Sequence, residues 1–169
     1  MLALNAAILV RSKHLEKSII YEDSRGGLQK QDKLLRLKDH NQLMLKIPTI
    51  LSGEGKFKTR KQIKIEISKG DVRELLLELG YKELFRYEKW REVWELDGMR
   101  ICLDEVPFLG NVVEIEGDED SIEKMAHLLE MGALKTSNIS YVKLFWAYAE
   151  AQELKAKQMT FDAQNFEES

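Results

Sequence analysis

Residues 85–117 read FRYEKWREVWELDGMRICLDEVPFLGNVVEIEG, and the fold is decided there. Three short runs alternate polar and apolar side chains with period two, the mark of half-buried strands. Asp97-Gly98 separates the first two runs. Such a pair accepts positive φ at both positions and closes a tight hairpin. Phe108-Leu109-Gly110 returns the chain into the third run. Side chains two apart share a strand face. Lys89 and Arg91 therefore point the same way, as do Arg100, Cys102 and Asp104; Glu114 and Glu116 lie opposite Val113 and Ile115. An acidic trio (Asp104, Glu114, Glu116) thus sits within a few strands of a basic pair. A solvated sheet also carries charge on one side, so alternation alone leaves that plainer reading open. Oxygen-only carboxylate clusters suit Mg2+ or Mn2+, and basic side chains suit the phosphates such an ion accompanies.

The whole chain is consistent with one soluble domain. It has 169 residues, 44% hydrophobic and 33% charged, enough for a proper core. Cys102 is the single cysteine, so no internal disulfide forms and a reducing compartment is expected. It reads as a small buried residue. The net charge of −3 hides an asymmetry: through Gly70 there are 15 Lys and Arg against 7 Asp and Glu, leaving 11 against 22 beyond it. Nucleic-acid binding by the basic part is disfavoured, because aromatics are not interleaved with the bases and the acidic part would repel a phosphate backbone. Basic and acidic strands facing one another across a cavity account for both halves. No run is long enough to span a bilayer. Leu2 to Val10 is apolar but lacks a basic leader and is interrupted by Asn5, so no signal peptide is expected and cytoplasm is the default.

Outward from residues 85–117, apolar Leu4, Ile8 and Leu15 predict a helix over Leu2–Lys17 that begins without a capping residue. Ile19–Asp23 reads as a strand and Ser24-Arg25-Gly26-Gly27 as a turn. Leu34–Lys38, Leu43–Pro48 and Lys58–Ile67 read as strands, with Ser52–Lys56 a polar loop whose spacing is wrong for a Walker phosphate loop. Asp71 and Glu74 form a capping-box variant ahead of a helix whose buried stripe is Leu75, Leu76 and Leu79, ended by Gly80. A second helix starts at Asp118 or Asp120, carries Ile122, Met125, Ala126 and Leu129, and stops at Gly132. Ser140 caps a third, with Tyr141, Leu144, Phe145 and Tyr148 on one side. Beyond Lys157 the tail reads as frayed. Trp90 and Trp94 are expected to pack under a helix. His14, His40 and His127 match no metal or triad spacing. The simplest packing sets apolar strand faces outward under the helices and charged faces inward.

FRYEKWREVW, ICLDEVPFLG and VVEIEG resemble the C-terminal half of the CYTH domain, the family of class IV adenylyl cyclases, thiamine triphosphatases and inorganic triphosphatases. The resemblance extends more loosely from Tyr21 to Tyr148 and includes Tyr21 and Asp23, with Glu22 in an aromatic position, and the Ser-Tyr-Val-x-Leu start at Ser140. It implies an α+β fold: an antiparallel β-barrel of the triphosphate tunnel type with helices outside, over a single domain 1–157 followed by a tail 158–169. It implies that Arg36, Lys38, Lys46, Arg60, Lys89 and Arg91 clamp a triphosphate, and that Asp104, Glu114 and Glu116 hold Mg2+ or Mn2+. The ligand would be ATP, thiamine triphosphate or tripolyphosphate. Water attack would make the protein a triphosphatase, and attack by the ribose 3′ hydroxyl of ATP a cyclase; both stay open. Lys38 stands where the family has arginine. Nothing before Tyr21 matches the family's first-strand Glu-x-Glu-x-Lys, so the chain is expected to enter the fold within the first helix. That motif is expected in frame just upstream, on roughly 10–20 residues. No catalytic residue is assigned without it. A non-catalytic triphosphate or polyphosphate binder is the alternative.

Overall fold

The computed structural model describes residues 7–49, 60–128 and 139–167. In chain order these form β1 (Ile8–Glu22), α1 (Gly27–Lys30), β2 (Leu34–Lys38), β3 (Gln42–Pro48) and β4 (Arg60–Glu66). There follow α2 (Val72–Glu78), β5 (Lys82–Leu96), β6 (Met99–Val106), β7 (Gly110–Glu116), α3 (Glu119–Leu128), α4 (Tyr141–Ala151) and α5 (Phe161–Glu167). The strands form one antiparallel sheet in the order β4-β3-β2-β1-β5-β6-β7. The α+β class is as expected. A barrel closes only where its terminal strands bond each other; among the described residues the ladder stays open, ending at β4 and β7. The chain divides into two compact units, Glu16–Glu88 with residues from Glu153, and β1 up to Leu15 with Lys89–Gln152. We call them the β2–β4 unit and the β6–β7 unit.

In the β2–β4 unit, the register sets Ile19, Leu37, Leu43 and Ile65 in one row, and Tyr21, Leu35, Leu45 and Ile63 in the next. Val72 and Leu76 of α2 pack on the β1–β2 part of this apolar face, and a fully buried leucine contributes about 1.5–3 kcal/mol. The cap is as expected: the Asp71 carboxylate accepts the Glu74 N–H at 3.0 Å, and Gly80 exits at φ +84°. Of the predicted stripe only Leu76 is buried. Leu75 and Leu79 are 57% and 65% exposed, because this short helix buries a single i, i+4 edge, set by Val72 and Leu76. The predicted turn at Ser24–Gly27 runs into α1, whose amides are held by the buried Glu22 carboxylate: it accepts the Asp23, Leu28 and Gln29 N–H groups, each at 2.9 Å.

In the β6–β7 unit, Asp97 and Gly98 take φ of +50° and +75°, as the hairpin required. Trp94, Ile101 and Ile115 form one cross-strand row, and Met125 of α3 covers it with Leu96 and Met99. The Asp118 carboxylate accepts the Ser121 N–H and hydroxyl and so begins α3. Trp94 packs as expected, whereas Trp90 is partly open, with Lys13 Nζ 5.9 Å from its ring. Phe145 and Ala149 are the buried residues of α4; Tyr148 is exposed, and Ser140 makes no side-chain capping bond. Leu129, Gly132 and the Ser52–Lys56 loop lie outside the described residues.

Two expectations are overturned outright. From Ile8 the chain is strand, not helix. The seven-residue spacing of Ile8 and Leu15 suits a helix and not period two, but bonding to β2 and β5 outweighs that weak, uncapped helical preference. The tail after Lys157 is ordered too. The Met159 N–H donates to the Arg86 carbonyl, the Glu88 N–H donates to the Met159 carbonyl, and Met159 is fully buried ahead of α5. No helix among the described residues is long and apolar enough to cross a membrane.

Candidate functional site

The charged faces carry the candidate chemistry, one in each unit. In the β6–β7 unit, the register pairs Arg91 with Asp104, Cys102 with Glu114, and Arg100 with Glu116. Lys89, Arg91 and Asp104 are the buried charges, 4%, 6% and 3% exposed. A buried charge needs a partner, and here each has one. Asp104 Oδ1 accepts Arg91 Nε–H at 2.7 Å. Its Oδ2 accepts Arg91 Nη2 at 2.6 Å, Lys89 Nζ at 2.9 Å and the Tyr141 hydroxyl at 2.7 Å. Arg91 Nη2 also donates to Glu114 Oε2 at 2.5 Å, and Lys89 Nζ lies 4.9 Å from the centre of the Tyr141 ring.

The electrostatics follow from this packing. Burial pushes the Asp104 carboxyl up, but the Arg91 hydrogen bonds, the neighbouring cationic charges and the Tyr141 hydroxyl outweigh it and hold the group below the usual carboxylate range. Burial opposes ionisation of Glu114 too, and the Lys89 and Arg91 charges bring its pKa below the ordinary value despite Asp104. Burial would weaken Arg91 as a cation; its hydrogen bonds to Asp104 and the nearby carboxylates fix it as one. Burial and the Glu114 and Asp104 charges raise the Tyr141 phenol, which stays a donor. Cys102 is fully buried and burial raises its thiol, in keeping with a packing residue.

In the β2–β4 unit, Arg36, Lys38, Lys46 and Arg60 share the face opposite the apolar rows. Lys38 Nζ donates to Glu16 at 2.5 Å, the two side chains only 15% and 6% exposed. Arg36 Nη1 donates to the Tyr87 hydroxyl at 2.7 Å and Nη2 approaches Met44 Sδ at 3.3 Å. Arg60 grips Asp32 twice, through Nη1 to its carbonyl at 2.8 Å and Nη2 to its carboxylate at 2.6 Å.

The structure thus brings Lys89, Arg91, Asp104 and Glu114 together, and sets Arg36, Lys38, Lys46 and Arg60 on one face. Glu116 stands apart. It pairs with Arg100, four residues along β6 from Asp104, which puts roughly 13 Å between their rows. Among the described residues no three His, Cys, Asp or Glu side chains converge as metal ligands would. Asp104, Glu114 and Glu116 as arranged therefore do not fit the three-carboxylate site expected of them. Three residues of these faces escaped sequence reasoning. Glu16 lies in the segment whose apolar spacing predicts a helix. Tyr87 shares the alternation of Lys89 and Arg91 in β5, which was signal enough. Tyr141 was visible only as one residue of a helix.

A family model for the CYTH domain matches residues 9–144. A candidate adenylate cyclase of Methanocaldococcus jannaschii is 28% identical over 134 residues, 76% of this chain and 75% of that protein. A solved Pyrococcus horikoshii protein superposes with a TM-score of 0.64 at 29% identity, covering 86% of this chain and 90% of its own. A Hippeastrum structure, described as a candidate adenylyl cyclase with dominant triphosphatase activity, has a TM-score of 0.55 at 16% identity, covering 82% of this chain and 84% of its own. At that identity the likeness is one of fold.

Proposed function

We propose, given that the chain belongs to the CYTH domain family, that it binds a triphosphate-bearing small molecule through basic side chains of its sheet and turns it over. The observation that carries this reading is the buried pair Lys89 and Arg91, two basic side chains on one strand face that both hydrogen-bond the buried Asp104 carboxylate. Arginine presents a planar fork to phosphate oxygens and lysine a point charge. Arg36, Lys38, Lys46 and Arg60 carry the same chemistry on the charged face of the β2–β4 unit. Phosphoryl chemistry asks a protein mainly for positioning and charge neutralisation, which these side chains provide by orienting the oxygens and offsetting charge on the leaving group.

The M. jannaschii relative points to ATP and cyclisation, and the Hippeastrum protein shows that the fold also accompanies triphosphate hydrolysis. The Mg2+ or Mn2+ implied by the family would neutralise charge on the bridging oxygens. Such ions take one or two protein carboxylates together with substrate phosphates. Glu114, 37% exposed, and Glu116 are the carboxylates open to that role.

The test is turnover and thermal stability with tripolyphosphate, ATP and thiamine triphosphate, each with Mg2+, with Mn2+ and with a chelator. Ligand at a hundred times its dissociation constant stabilises by about 2.7 kcal/mol, and Arg91→Ala should shrink that gain. Cyclic AMP or released phosphate identifies the reaction. Saturable binding without product under every condition selects the non-catalytic binder. No stabilisation by any of the three ligands refutes the triphosphate reading.

A further inference from the structure

Asp104 was expected to hold a cation, yet its surroundings are those of an anchor. Its side chain has no exposed surface. It accepts four hydrogen bonds, three of them on Oδ2, and an ionised carboxylate has about four acceptor sites. Two of the donors come from one edge of Arg91, Nε and Nη2, which fixes the plane of the guanidinium. Its bonds to Asp104 and Glu114 are all made through Nε and Nη2. The third donor is Lys89. The fourth is the Tyr141 hydroxyl, from the first turn of α4, whose ring also lies beneath Lys89 Nζ. One phenol thus touches both members of the buried pair, the carboxylate by its oxygen and the ammonium by its π face.

We propose that Tyr141 and Asp104 are a positioning pair: Tyr141 locks Asp104, and Asp104 aims Lys89 and Arg91 at the bound anion rather than ligating a cation. The proposal rests on the triphosphate reading for the nature of that anion. It assigns a role to Tyr141 and changes the one expected of Asp104. The geometry explains why an aspartate serves here. Its carboxylate sits directly across the ladder from Arg91, and its short side chain cannot follow a mobile ion, whereas Glu114 is longer and partly exposed.

The experiment is calorimetric titration of tripolyphosphate into wild type, Tyr141→Phe and Asp104→Asn, each with Mg2+ and with EDTA. It is paired with NMR measurement of solvent exchange at the Arg91 Nε–H, which needs no ligand. Tyr141→Phe keeps the ring and removes one hydrogen bond. It should weaken binding about five-fold, the worth of one such bond, equally with and without Mg2+, and speed Arg91 Nε–H exchange several-fold. Asp104→Asn should weaken binding in EDTA as well. Unchanged affinity and unchanged exchange in Tyr141→Phe overturn the proposal. So does an Asp104→Asn protein that binds normally in EDTA and loses only the gain from Mg2+, the behaviour of a metal ligand. Should Asp104→Asn fail to fold, Tyr141→Phe decides alone. Should wild type bind no tripolyphosphate, the triphosphate reading fails, while Arg91 exchange still reports whether the pair exists.

Discussion

Removing the charge of Asp104 would leave Lys89 and Arg91 buried without their main counter-ion. Breaking one side of such an arrangement costs about 3–5 kcal/mol, the loss expected for Asp104→Asn in urea unfolding at pH 7. The same group sets the response to acid. Its folded pKa is depressed, so its stabilisation is complete above the unfolded value of about 3.9 and disappears as pH falls through the folded value. The gap between wild type and Asp104→Asn should be constant from about pH 7 to pH 5 and narrow below about pH 4. A gap independent of pH would remove electrostatics from the account. At this scale Lys89, Arg91 and Asp104 were legible, because period-two alternation fixes which side chains share a face. Glu16 was not, since a misread period hides the partner of Lys38. Nor was the bond from Tyr141, because where a helix rests on a sheet is decided by packing far along the chain.

Helix α2 shows how much of an element a sequence fixes. Its cap, its length and its Gly80 exit follow from local chemistry, and all three are present. Its buried edge does not, because several leucines compete for one face and the apolar rows of the sheet choose Val72 and Leu76. Leu76→Ala should therefore cost about 2–5 kcal/mol. Asp71→Ala should cost about 1 kcal/mol through the lost cap, and Leu79→Ala less than about 0.5 kcal/mol. Denaturant midpoints at constant slope would check the order; a Leu79→Ala loss equal to that of Leu76→Ala would show the helix rotated. In β1 the local spacing of Ile8 and Leu15 favoured a helix, and the chain is strand. Its extended form is imposed by neighbours on both sides, β2 and β5.

Both compact units draw on the same two strands, β1 and β5, each of 15 residues. Each strand runs unbroken from residues of one unit into residues of the other. All three tryptophans, Trp90, Trp94 and Trp146, lie in the β6–β7 unit, so their fluorescence follows that unit alone while far-UV dichroism follows both. The two signals should give one coincident urea transition; separated midpoints would make the units independent. The charge asymmetry of the sequence was a legible trace of the two charged faces. The open ladder was not, because hydrogen bonding between terminal strands leaves no mark on composition. The placement of β1 also has a consequence for synthesis. Its partner β2 follows almost at once, but its other neighbour, β5, begins only at Lys82. At about 5–20 residues per second, the ribosome takes on the order of 3–12 s to make the intervening stretch. For that interval the nascent chain carries Ile19, Ile20 and Tyr21 on a strand with one open edge, a natural substrate for a chaperone and a point where neighbouring polysomal chains could pair wrongly.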